Sequence, residues 1–524
     1  MTLETLAPAL LVGAAIVLVS ILGVRFAGRL GVPGLLLYLG LGLLLGTFFE
    51  ELSFNDAELG VILGYVALIL ILAQGGLTTR VSELRPVLWP ALALASLGVL
   101  VSITVVAIPL IFLMKMDTQN ALLLATVLAA TDAAAVFSVL RKLKLSPRLR
   151  TLLEGEAGFN DAPVVVLVSV IASGAFGTDP WWSIALLIVV ELVGGAVIGV
   201  LGGFASRWLL PRLALPSVGL YPIAAMALLI ATYGAAAVLH TSGFMAVYVA
   251  AVLMGSATRL PHRRSIIGFA DGLGWISEIG LFVMLGLLAD VHRLPAALGI
   301  AVVAGLASVL LARPLAAFVS LTPFGWGFKE RVFVGVAGLR GAVPIVFAAI
   351  PLGLAVNGSA TVFDATLIVV LALLVLQAPF LPAIARRLGL SLPDEAAELE
   401  VENAPLDAMN AVVLAMDIQE ESGLVGIFLS ELGMPRGAVV SLIVRDGEPI
   451  PIDGHSRLRP NDRILVVCPG SVRVATEERL RILSKDGRLA TWVREPMEIV
   501  PLVTKTSWPR ALLNRIEATV LRDQ

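Results

Sequence analysis

Long apolar runs follow one another along the first 390 residues, and short connections between them carry most of the charges. An α-helix needs about 20 apolar residues to cross a bilayer, so a chain built in this way folds in a membrane. The first run is too long for a secretory signal peptide and continues into the next, so no cleaved leader is expected. Thirteen membrane-spanning helices are predicted, at residues 5–24, 31–49, 57–78, 87–113, 119–140, 152–176, 181–206, 218–239, 242–257, 265–289, 295–321, 331–355 and 361–385.

The basic residues of the connections are distributed very unevenly. The connections after odd-numbered predicted helices hold 18 Lys and Arg residues, whereas those after even-numbered helices hold only Lys115 and Arg293. Cytoplasmic loops carry an excess of Lys and Arg, so the odd connections are predicted to be cytoplasmic. The N-terminus is then outside and the C-terminal region is cytoplasmic. We expect a multi-pass protein of the cell (inner) membrane, with the lipid bilayer as its surroundings.

The charge content changes abruptly near residue 390. Residues 1–390 hold 40 charged residues, about 10%, and the remaining 134 residues hold 36, about 27%, whereas a soluble domain has about 25%. We predict a membrane domain at 1–390, an acidic linker at 391–404, a soluble domain at 405–485, and an extension of unknown role at 486–524.

Two further totals exclude whole classes of protein. The net charge of −2 excludes a nucleic-acid partner, which requires a strong basic excess. The single cysteine, Cys468, excludes a disulfide framework and a multi-cysteine metal site.

Ionisable side chains inside the predicted helices are the first candidates for function. Each costs at least about 2.5–3.5 kcal/mol to insert, so it needs a partner or a role. Glu191 is expected to hydrogen-bond to neighbouring helices, and Asp364 to be solvated near a helix end. The acidic members are Asp132, Glu154, Glu156, Asp161, Glu191, Asp271, Glu278 and Asp364, and the basic members are Arg313 and Arg340.

Glu156 and Asp161 lie five residues apart in predicted helix 6, so they face different directions. Asp161 can face a cavity, where Pro163 frees a backbone carbonyl nearby. An ionised carboxylate there binds a dehydrated monovalent cation together with hydroxyl and carbonyl oxygens. A proton removes the charge and its desolvation cost, so one site that holds either a cation or a proton is the minimum required for exchange. The alternative, that these carboxylates only tether helices through ion pairs, is favoured for Glu156, because two arginines are available.

Predicted helix 12 carries the signals of an interruption. Gly338, Gly341 and Pro344 surround Arg340 within seven residues of an otherwise apolar segment. Transporters use interrupted helices to expose half-helix ends near the middle of the membrane. An arginine there can lie over the negative C-terminal ends of the half-helices.

Three motifs carry a family resemblance: ATDAAAVFSVLR (130–141), EGEAGFNDAPVVV (154–166) and GLRGAVPI (338–345). Together they resemble the monovalent cation:proton antiporter-1 family, the NhaP-type exchangers, over the whole membrane part. The stretch ELRPVLWPALALASLGVLVS (83–102) and the soluble tail resemble the subgroup of bacterial potassium/proton antiporters of the NhaP and CvrA kind.

The resemblance implies an all-α fold of thirteen helices, in which two inverted six-helix repeats, helices 1–6 and 8–13, are joined by helix 7. Helices 5 and 12 are then discontinuous and cross near the midplane. The family is usually dimeric, through the domain that does not hold the site.

The resemblance also assigns roles to single residues. Asp161 of the Asn160-Asp161 pair is then the shared carrier of cation and proton, and Thr131 and Asp132 help to hold the monovalent cation. An asparagine before the aspartate implies electroneutral exchange of one proton for one cation. Glu156 is expected to pair with Arg313, bracing helix 6 against helix 11, and Arg340 to lie at the break of helix 12.

Three positions depart from the family pattern. Ala157 stands where the family commonly has a serine that can supply a cation ligand. Gln74 stands where relatives often have an acid before Gly-Gly, and Glu278 where relatives often have glutamine. These departures indicate altered ion coordination or access, and they leave the choice between potassium and sodium open.

The tail alternates strand-like and helix-like segments. Strands are predicted at 411–418, 438–447 and within 458–470, and helical spacing is present at 423–433. This order resembles the C-terminal ligand-binding half of potassium-conductance regulators, the TrkA-C (RCK C-terminal) type. A sensor for an unidentified small ligand and a bare dimerisation module remain equally open.

Three hypotheses of function follow from these observations. The favoured one is a secondary active antiporter, without enzyme activity or cofactor, that exchanges potassium or sodium for protons and assembles as a homodimer. The second is a cation channel gated by the tail, against which the absence of a repeated pore loop argues. The third is a sensor that couples a cation site to the tail without transport.

Overall fold

The computed structural model divides the chain into two compact units, Met1–Leu392 and Pro393–Gln524, which are described separately. The predicted linker 391–404 lies outside the described residues except for 399–400, and the extension 486–524 except for 486–487. The structure describes residues 3–30, 34–48, 56–132, 145–178, 180–257, 260–390, 399–400, 411–445, 448–450, 452 and 456–487.

The first unit is helical throughout its described residues apart from the connections. A one-turn helix, Ala175–Thr178, follows the helix Pro147–Ala172. The helices Phe328–Ala337 and Ala342–Gly353 form a pair that is bent by 50° at the break between them. The helices are α1 Leu3–Leu30, α2 Gly34–Phe48, α3 Ala57–Thr78, α4 Val81–Phe112, α5 Thr118–Ala129, α6 Pro147–Ala172, α7 Trp181–Arg212, α8 Leu220–Val238, α9 Gly243–Gly255, α10 Arg263–Leu288, α11 Leu294–Phe324, α12a Phe328–Ala337, α12b Ala342–Gly353 and α13 Ser359–Leu388.

Eight of the helices in the described residues are long and apolar enough to cross a membrane, and the bent pair α12a–α12b makes a ninth. Four further apolar helices are shorter: residues Leu10–Gly23 of α1, and α2, α5 and α9. A polytopic membrane protein is therefore confirmed. The count of thirteen membrane-spanning helices stays a prediction.

Predicted helix 5, at 119–140, is helical only as far as Ala129 among the described residues, and its predicted end at residue 140 lies outside them. Helix α5 ends at Ala129, Ala130 has extended dihedral angles, and residues 133–144 lie outside the described part of the chain. Alanines favour a helix here, but the Asp132 amide donates a hydrogen bond to Leu339 O (3.1 Å) instead of to its own helix.

The helices of the first unit pack into two groups. Helices α1–α3 and α7–α10 form one, here called the scaffold group, and helices α4–α6 and α11–α13 form the other, the core group. Helix α6 lies at the centre, with 22 of its 26 residues buried. It begins at a Ser146 N-cap followed by Pro147, a sequence that favours a helix start. Helix α7, by contrast, leaves most of its apolar side chains exposed, as a surface in contact with lipid would.

In its described residues, the second unit contains a five-stranded antiparallel sheet and one α-helix. The strands are β1 Leu399–Glu400, β2 Ala411–Asp417, β3 Val439–Arg445, β4 Glu448–Ile450 and β5 Arg463–Pro469, in the order β1-β2-β5-β3-β4. The helix, α14, spans Arg473–Asp486. Alternate residues of β2 and β5, among them Leu414, Ile464 and Cys468, form the core with Leu480 and Leu483 of α14.

The helix predicted at 423–433 is wrong. The segment consists of turns and one short 3₁₀ turn, Leu429–Glu431. Gly426 and Gly433 have positive φ angles of 81° and 54°, which end a helix. The apolar side chains that suggested helical spacing, such as Leu424 and Leu432, are buried in the core from these turns.

Candidate functional site

The C-terminal end of α5 and the interruption of α12 meet inside the core group. Residues 130–132 follow the end of α5 and residues 338–341 separate α12a from α12b. The Asp132 amide donates a hydrogen bond to Leu339 O, and the Ala342 amide donates a second one to Asp132 Oδ2, at 2.6 Å. A β-carbon at Gly341 would overlap that same carboxylate. Asp132 therefore caps the N-terminus of α12b, where a negative charge is favourable.

The C-terminal end of α5 is satisfied by side chains from other helices. Arg340 Nε donates to Leu128 O at 2.6 Å, and Asn160 Nδ2 donates to Ala129 O at 3.2 Å. Carbonyl groups at a helix end have no intrahelical donor, so each of these bonds satisfies a group that would otherwise be unpaired. Arg340 lies over a half-helix C-terminus, where a positive charge is stabilised.

The C-terminal end of α12a is satisfied in the same way. Gln377 of α13 donates through Nε2 to Val336 O, and Arg313 Nη2 reaches Val334 O at 3.4 Å. A β-carbon at Gly338 would overlap the Arg313 guanidinium group, so the glycine makes room for it. The role of Gln377 was missed in the sequence, although a lone amide in an apolar run before Pro379 is a usable signal.

Asp161 is a buried acid with an unsatisfied oxygen in the described part of the chain. It is 1% exposed, and its Oδ1 has no hydrogen-bond partner among the described residues. The neighbouring Asn160 donates to Thr131 Oγ1 at 3.2 Å, and its own Oδ1 is likewise unpartnered in the described part of the chain. Asp132 is near enough for its negative charge to repel that of Asp161. The four predicted site residues thus lie together, with two unpaired oxygens that suit a monovalent cation or a proton.

Glu156 has a different environment, five residues earlier on the same helix. It is also 1% exposed, and Arg313 of α11 holds both of its oxygens, at 2.5 Å (Nη1 to Oε1) and 3.3 Å (Nη2 to Oε2). A bidentate pair of this kind satisfies the carboxylate fully. The pair joins α6 to α11, and through Gly338 to the break of α12.

Arg340 is the second buried cation of this region. It is fully buried, and its two terminal nitrogens have no hydrogen-bond partner among the described residues. When ionised, the three carboxylates and two guanidinium groups around the end of α5 and the break of α12 leave one uncompensated negative charge. One cation or one proton is enough to neutralise it. The set is Asp132, Glu156, Asp161, Arg313 and Arg340. Glu154 and Asp364 are also buried but pair with Arg150 and Arg293, and Glu278 is buried on α10.

The three departures from the family pattern lie in two places. Ala157 is buried on α6, beside Glu156. Gln74 on α3 and Glu278 on α10 lie in the scaffold group, where Gln74 Nε2 donates to Asp271 Oδ1 at 2.9 Å. The structure therefore puts Gln74 and Glu278 on helices other than those that carry Asp161 and Asp132.

Asp364 is not solvated as expected from the sequence. It is 2% exposed on α13, and Arg293 at the start of α11 pairs with it, with Nε 3.3 Å from Oδ2. The expectation that Asp364 is solvated was wrong because its partner, Arg293, lies in the connection before predicted helix 11 and was not considered. Glu191 is half-buried on α7, and its carbonyl oxygen accepts from the Ser242 amide.

Comparison with known families gives two matches. Residues 14–387 match the model of the transmembrane sodium/hydrogen exchanger family, and residues 413–479 match the TrkA-C domain. The first match covers all the helices that form the site, and the second covers most of the small sheet.

Individual relatives match over most of the chain. The K(+)/H(+) antiporter NhaP of Alkalimonas amylolytica is 32% identical over 480 residues, which cover 89% of this chain and 82% of the relative. The K(+)/H(+) antiporter NhaP2 of Shewanella oneidensis is 33% identical over 470 residues, covering 87% and 80%. The solved sodium proton antiporter MjNhaP1 of Methanocaldococcus jannaschii at pH 8 has a TM-score of 0.63 at 23% identity, over 73% of this chain and 99% of that chain.

Proposed function

This chain belongs to the sodium/hydrogen exchanger family, and we propose that it exchanges a monovalent cation for protons by alternating access, with Asp161 as the shared carrier. As a member of a family of antiporters it is a secondary transporter and not an enzyme. The observation that carries the proposal is the unpaired, buried carboxylate of Asp161 between Asn160 and Asp132. A cation or a proton can occupy this place, but their charges exclude both at once.

The balance of buried charges supports an exchange of one proton for one cation. The five ionisable groups around the end of α5 and the break of α12, Asp132, Glu156, Asp161, Arg313 and Arg340, leave a single negative charge, so this group is neutral with either partner bound. Moving a neutral site through the membrane avoids the cost of an unpaired ion at that depth. The exchange is then electroneutral.

Potassium is the proposed cation, with sodium as the second possibility. The relatives that are 32–33% identical over most of their length are potassium/proton antiporters. Ala157 removes one hydroxyl that could have served as a ligand, so coordination falls on Asp161, Thr131 and Asp132. No resident cofactor is part of the proposal.

We also propose thirteen membrane-spanning helices in two inverted six-helix repeats, with the N-terminus outside and the tail in the cytoplasm. Matching irregularities support the repeats: α4 and α11 each contain a π-helical turn, Leu94–Gly98 and Ala307–Ala312. Of the two helices that follow, α5 ends at Ala129 and α12 is interrupted. The proposed homodimer forms through the scaffold group, and the TrkA-C domain regulates transport in response to an unidentified small ligand.

Proton flux in proteoliposomes tests the function. Purified full-length protein is reconstituted in vesicles with an internal pH dye, and potassium, sodium or lithium is added across a range of pH values. We expect cation-dependent proton movement, largest with potassium and unchanged when valinomycin clamps the membrane potential. Currents that follow the voltage would instead indicate a channel, and no flux with any cation would indicate a sensor without transport.

A further inference from the structure

The ring of Tyr248 lies between the two helix groups, against the helix that carries Asp161. Tyr248 is in the middle of α9, and 2% of its surface is exposed. The hydroxyl end of its ring touches Gly158 of α6 so closely that a β-carbon there would overlap the ring. The Tyr248 and Phe159 rings meet edge to face, with centroids 5.1 Å apart and planes at 84°. The ring therefore packs on the α6 backbone, three residues before Asp161.

Helix α9 is held firmly within the scaffold group. Gly76 of α3 lies against Tyr248 O, and three glycines of α7, Gly195, Gly199 and Gly203, lie against the residues of α9 or its N-cap. At each of these glycines a β-carbon would overlap atoms of the facing segment. Close packing of this kind resists small displacements, so the backbone of α9 at Tyr248 has a fixed position relative to α3 and α7.

Helix α6 presents a second glycine to its own group. A β-carbon at Gly155, three residues before Gly158, would meet Leu84 and Ala91 of α4 and not the scaffold group. Gly155 therefore contacts a helix of its own group, whereas Gly158 contacts a helix of the scaffold group. Tyr248 makes the second contact through a side chain and not through a helix backbone.

We propose that Tyr248 is a gating residue, whose ring covers the approach to the Asp161 carboxylate from the N-terminal end of α6. A rise of about 1.5 Å per residue puts Gly158 about 4.5 Å from Asp161 along the axis of α6. In the proposed topology this is the cytoplasmic side. The inference rests on the proposed exchange, because alternating access requires the site to be closed on one side while it is open on the other.

The first experiment removes the ring. Tyr248→Ala is compared with Tyr248→Phe in pH-dye vesicles that contain choline as the only cation. We expect Tyr248→Ala to increase the cation-independent proton leak several-fold, and Tyr248→Phe, which keeps the ring, to remain as tight as the unmodified protein. Adding Asp161→Asn to Tyr248→Ala should abolish the leak, because protons pass through this carboxylate. A leak that persists in the double variant, or a tight Tyr248→Ala, would overturn the gate.

The second experiment adds a methyl group under the ring and does not depend on the folding of Tyr248→Ala. We expect Gly158→Ala to reduce potassium-driven exchange roughly tenfold, a factor that corresponds to about 1.4 kcal/mol. Gly155→Ala is the matched control and should leave exchange nearly unchanged, since its contact lies within the core group. Tyr248→Leu added to Gly158→Ala removes the ring that the new methyl group meets, so the potassium-dependent part of the flux should recover, together with the proton leak expected without the ring. Equal losses at both glycines, or no recovery, would contradict the proposal.

The unmodified protein separates the two levels of inference. If it shows no cation-dependent proton movement, the proposed function itself has failed. If it exchanges normally while the variants at positions 248 and 158 behave like it, only the gate is wrong.

Discussion

Two acids on helix α6 face the same cost of burial and meet it in opposite ways. Glu156 and Asp161 are five residues apart and equally buried. Both oxygens of Glu156 are held by Arg313, whereas Oδ1 of Asp161 has no hydrogen-bond partner in the described part of the chain. A carboxylate that is completely paired has nothing left to bind. A carboxylate that is buried and incompletely paired requires a counter-charge from outside the protein.

The surroundings of the two acids explain the division. Glu156 faces α11 in the interior of the core group, where Arg313 also meets the break of α12 at Gly338. Asp161 lies on the part of α6 where Asn160 reaches Ala129 O and Thr131 beyond the end of α5, and no arginine holds its Oδ1 among the described residues. The pair stabilises the crossing, and Oδ1 of Asp161 is left without a hydrogen-bond partner among the described residues.

The largest expected effect is the loss of exchange in Asp161→Asn. The amide cannot carry the proton or balance a cation, so potassium-dependent proton movement should fall below detection. Thermal stability in detergent should be unchanged or higher, because a buried unpaired charge is removed. Glu156→Gln is the matched control on the same helix and should lose stability before it loses transport. Exchange at a normal rate by Asp161→Asn would contradict the proposal that Asp161 carries the cation and the proton.

The second prediction concerns the paired acid. Arg313→Ala leaves Glu156 buried without its partner, so we expect a loss of about 3–5 kcal/mol in stability. Thermal unfolding of the purified protein in detergent measures it. The double variant Arg313→Met with Glu156→Met removes both charges and should recover most of the stability. An unchanged melting temperature in Arg313→Ala would mean that the pair does not brace the helices.

The third prediction concerns the crossing itself. Gly341→Ala inserts a β-carbon where the Asp132 carboxylate caps α12b, so the bond to the Ala342 amide should be lost. A charge-assisted hydrogen bond contributes about 1.5–3 kcal/mol, and we expect a loss of this size together with weaker cation affinity. Gly353→Ala, at the far end of α12b with no contact closer than 3.7 Å, is the control. Equal effects at both glycines would show that the Asp132 cap is not what matters.

The smallest effect is expected in the tail, where a buried acid is paired outside the membrane. Burial alone would raise the pKa of Asp462, but hydrogen bonds from Arg445 and the Arg459 amide, with the charges of both arginines, lower it below the usual value. Because the folded pKa is the lower one, this stabilisation is complete above the unfolded pKa of about 3.9 and is lost as the pH falls through the folded pKa.

Hydrogen exchange of the full-length protein measures the stabilisation that the paired Asp462 contributes. Protection of β2 and β5 should decrease as the pH falls below about 4, the unfolded pKa of an aspartate. Asp462→Asn should cost about 1.5–3 kcal/mol at neutral pH and remove this part of the acid sensitivity. The exposed pair of Arg463 with Asp417 offers a control, since Asp417→Asn should change little. Protection that is the same in all three proteins would contradict the role of Asp462.

The sequence allowed the interruption of α12 to be predicted but not the departure from the helix after Ala129. Gly338, Gly341 and Pro344 disfavour a helix locally, so the break is a property of the segment itself. Residues 130–132 have no such signal, and their departure from the helix is accompanied by hydrogen bonds of Asp132 to residues 207 and 210 positions later. The motif of the family was needed to expect that break.

Partners from distant parts of the chain explain the other differences. Asp364 seemed solvated because its partner, Arg293, belongs to a connection and not to a predicted helix. Gln377 seemed unremarkable because the carbonyl that it satisfies is exposed only by the break of α12. In the tail, Gly426 and Gly433 end a helix that the apolar spacing alone favoured.

Proton release on cation binding tests the central claim most directly, because it asks whether both ligands use one carboxylate. Potassium binding to the detergent-solubilised protein is measured by calorimetry in buffers that differ in their enthalpy of ionisation. At a pH where the carrier is protonated, we expect close to one proton to be released per bound cation, as linkage requires for a shared site. The same release should persist in Asp132→Asn if that variant still binds, and should vanish in Asp161→Asn. Potassium binding without proton release, or proton release that survives in Asp161→Asn, would contradict the account.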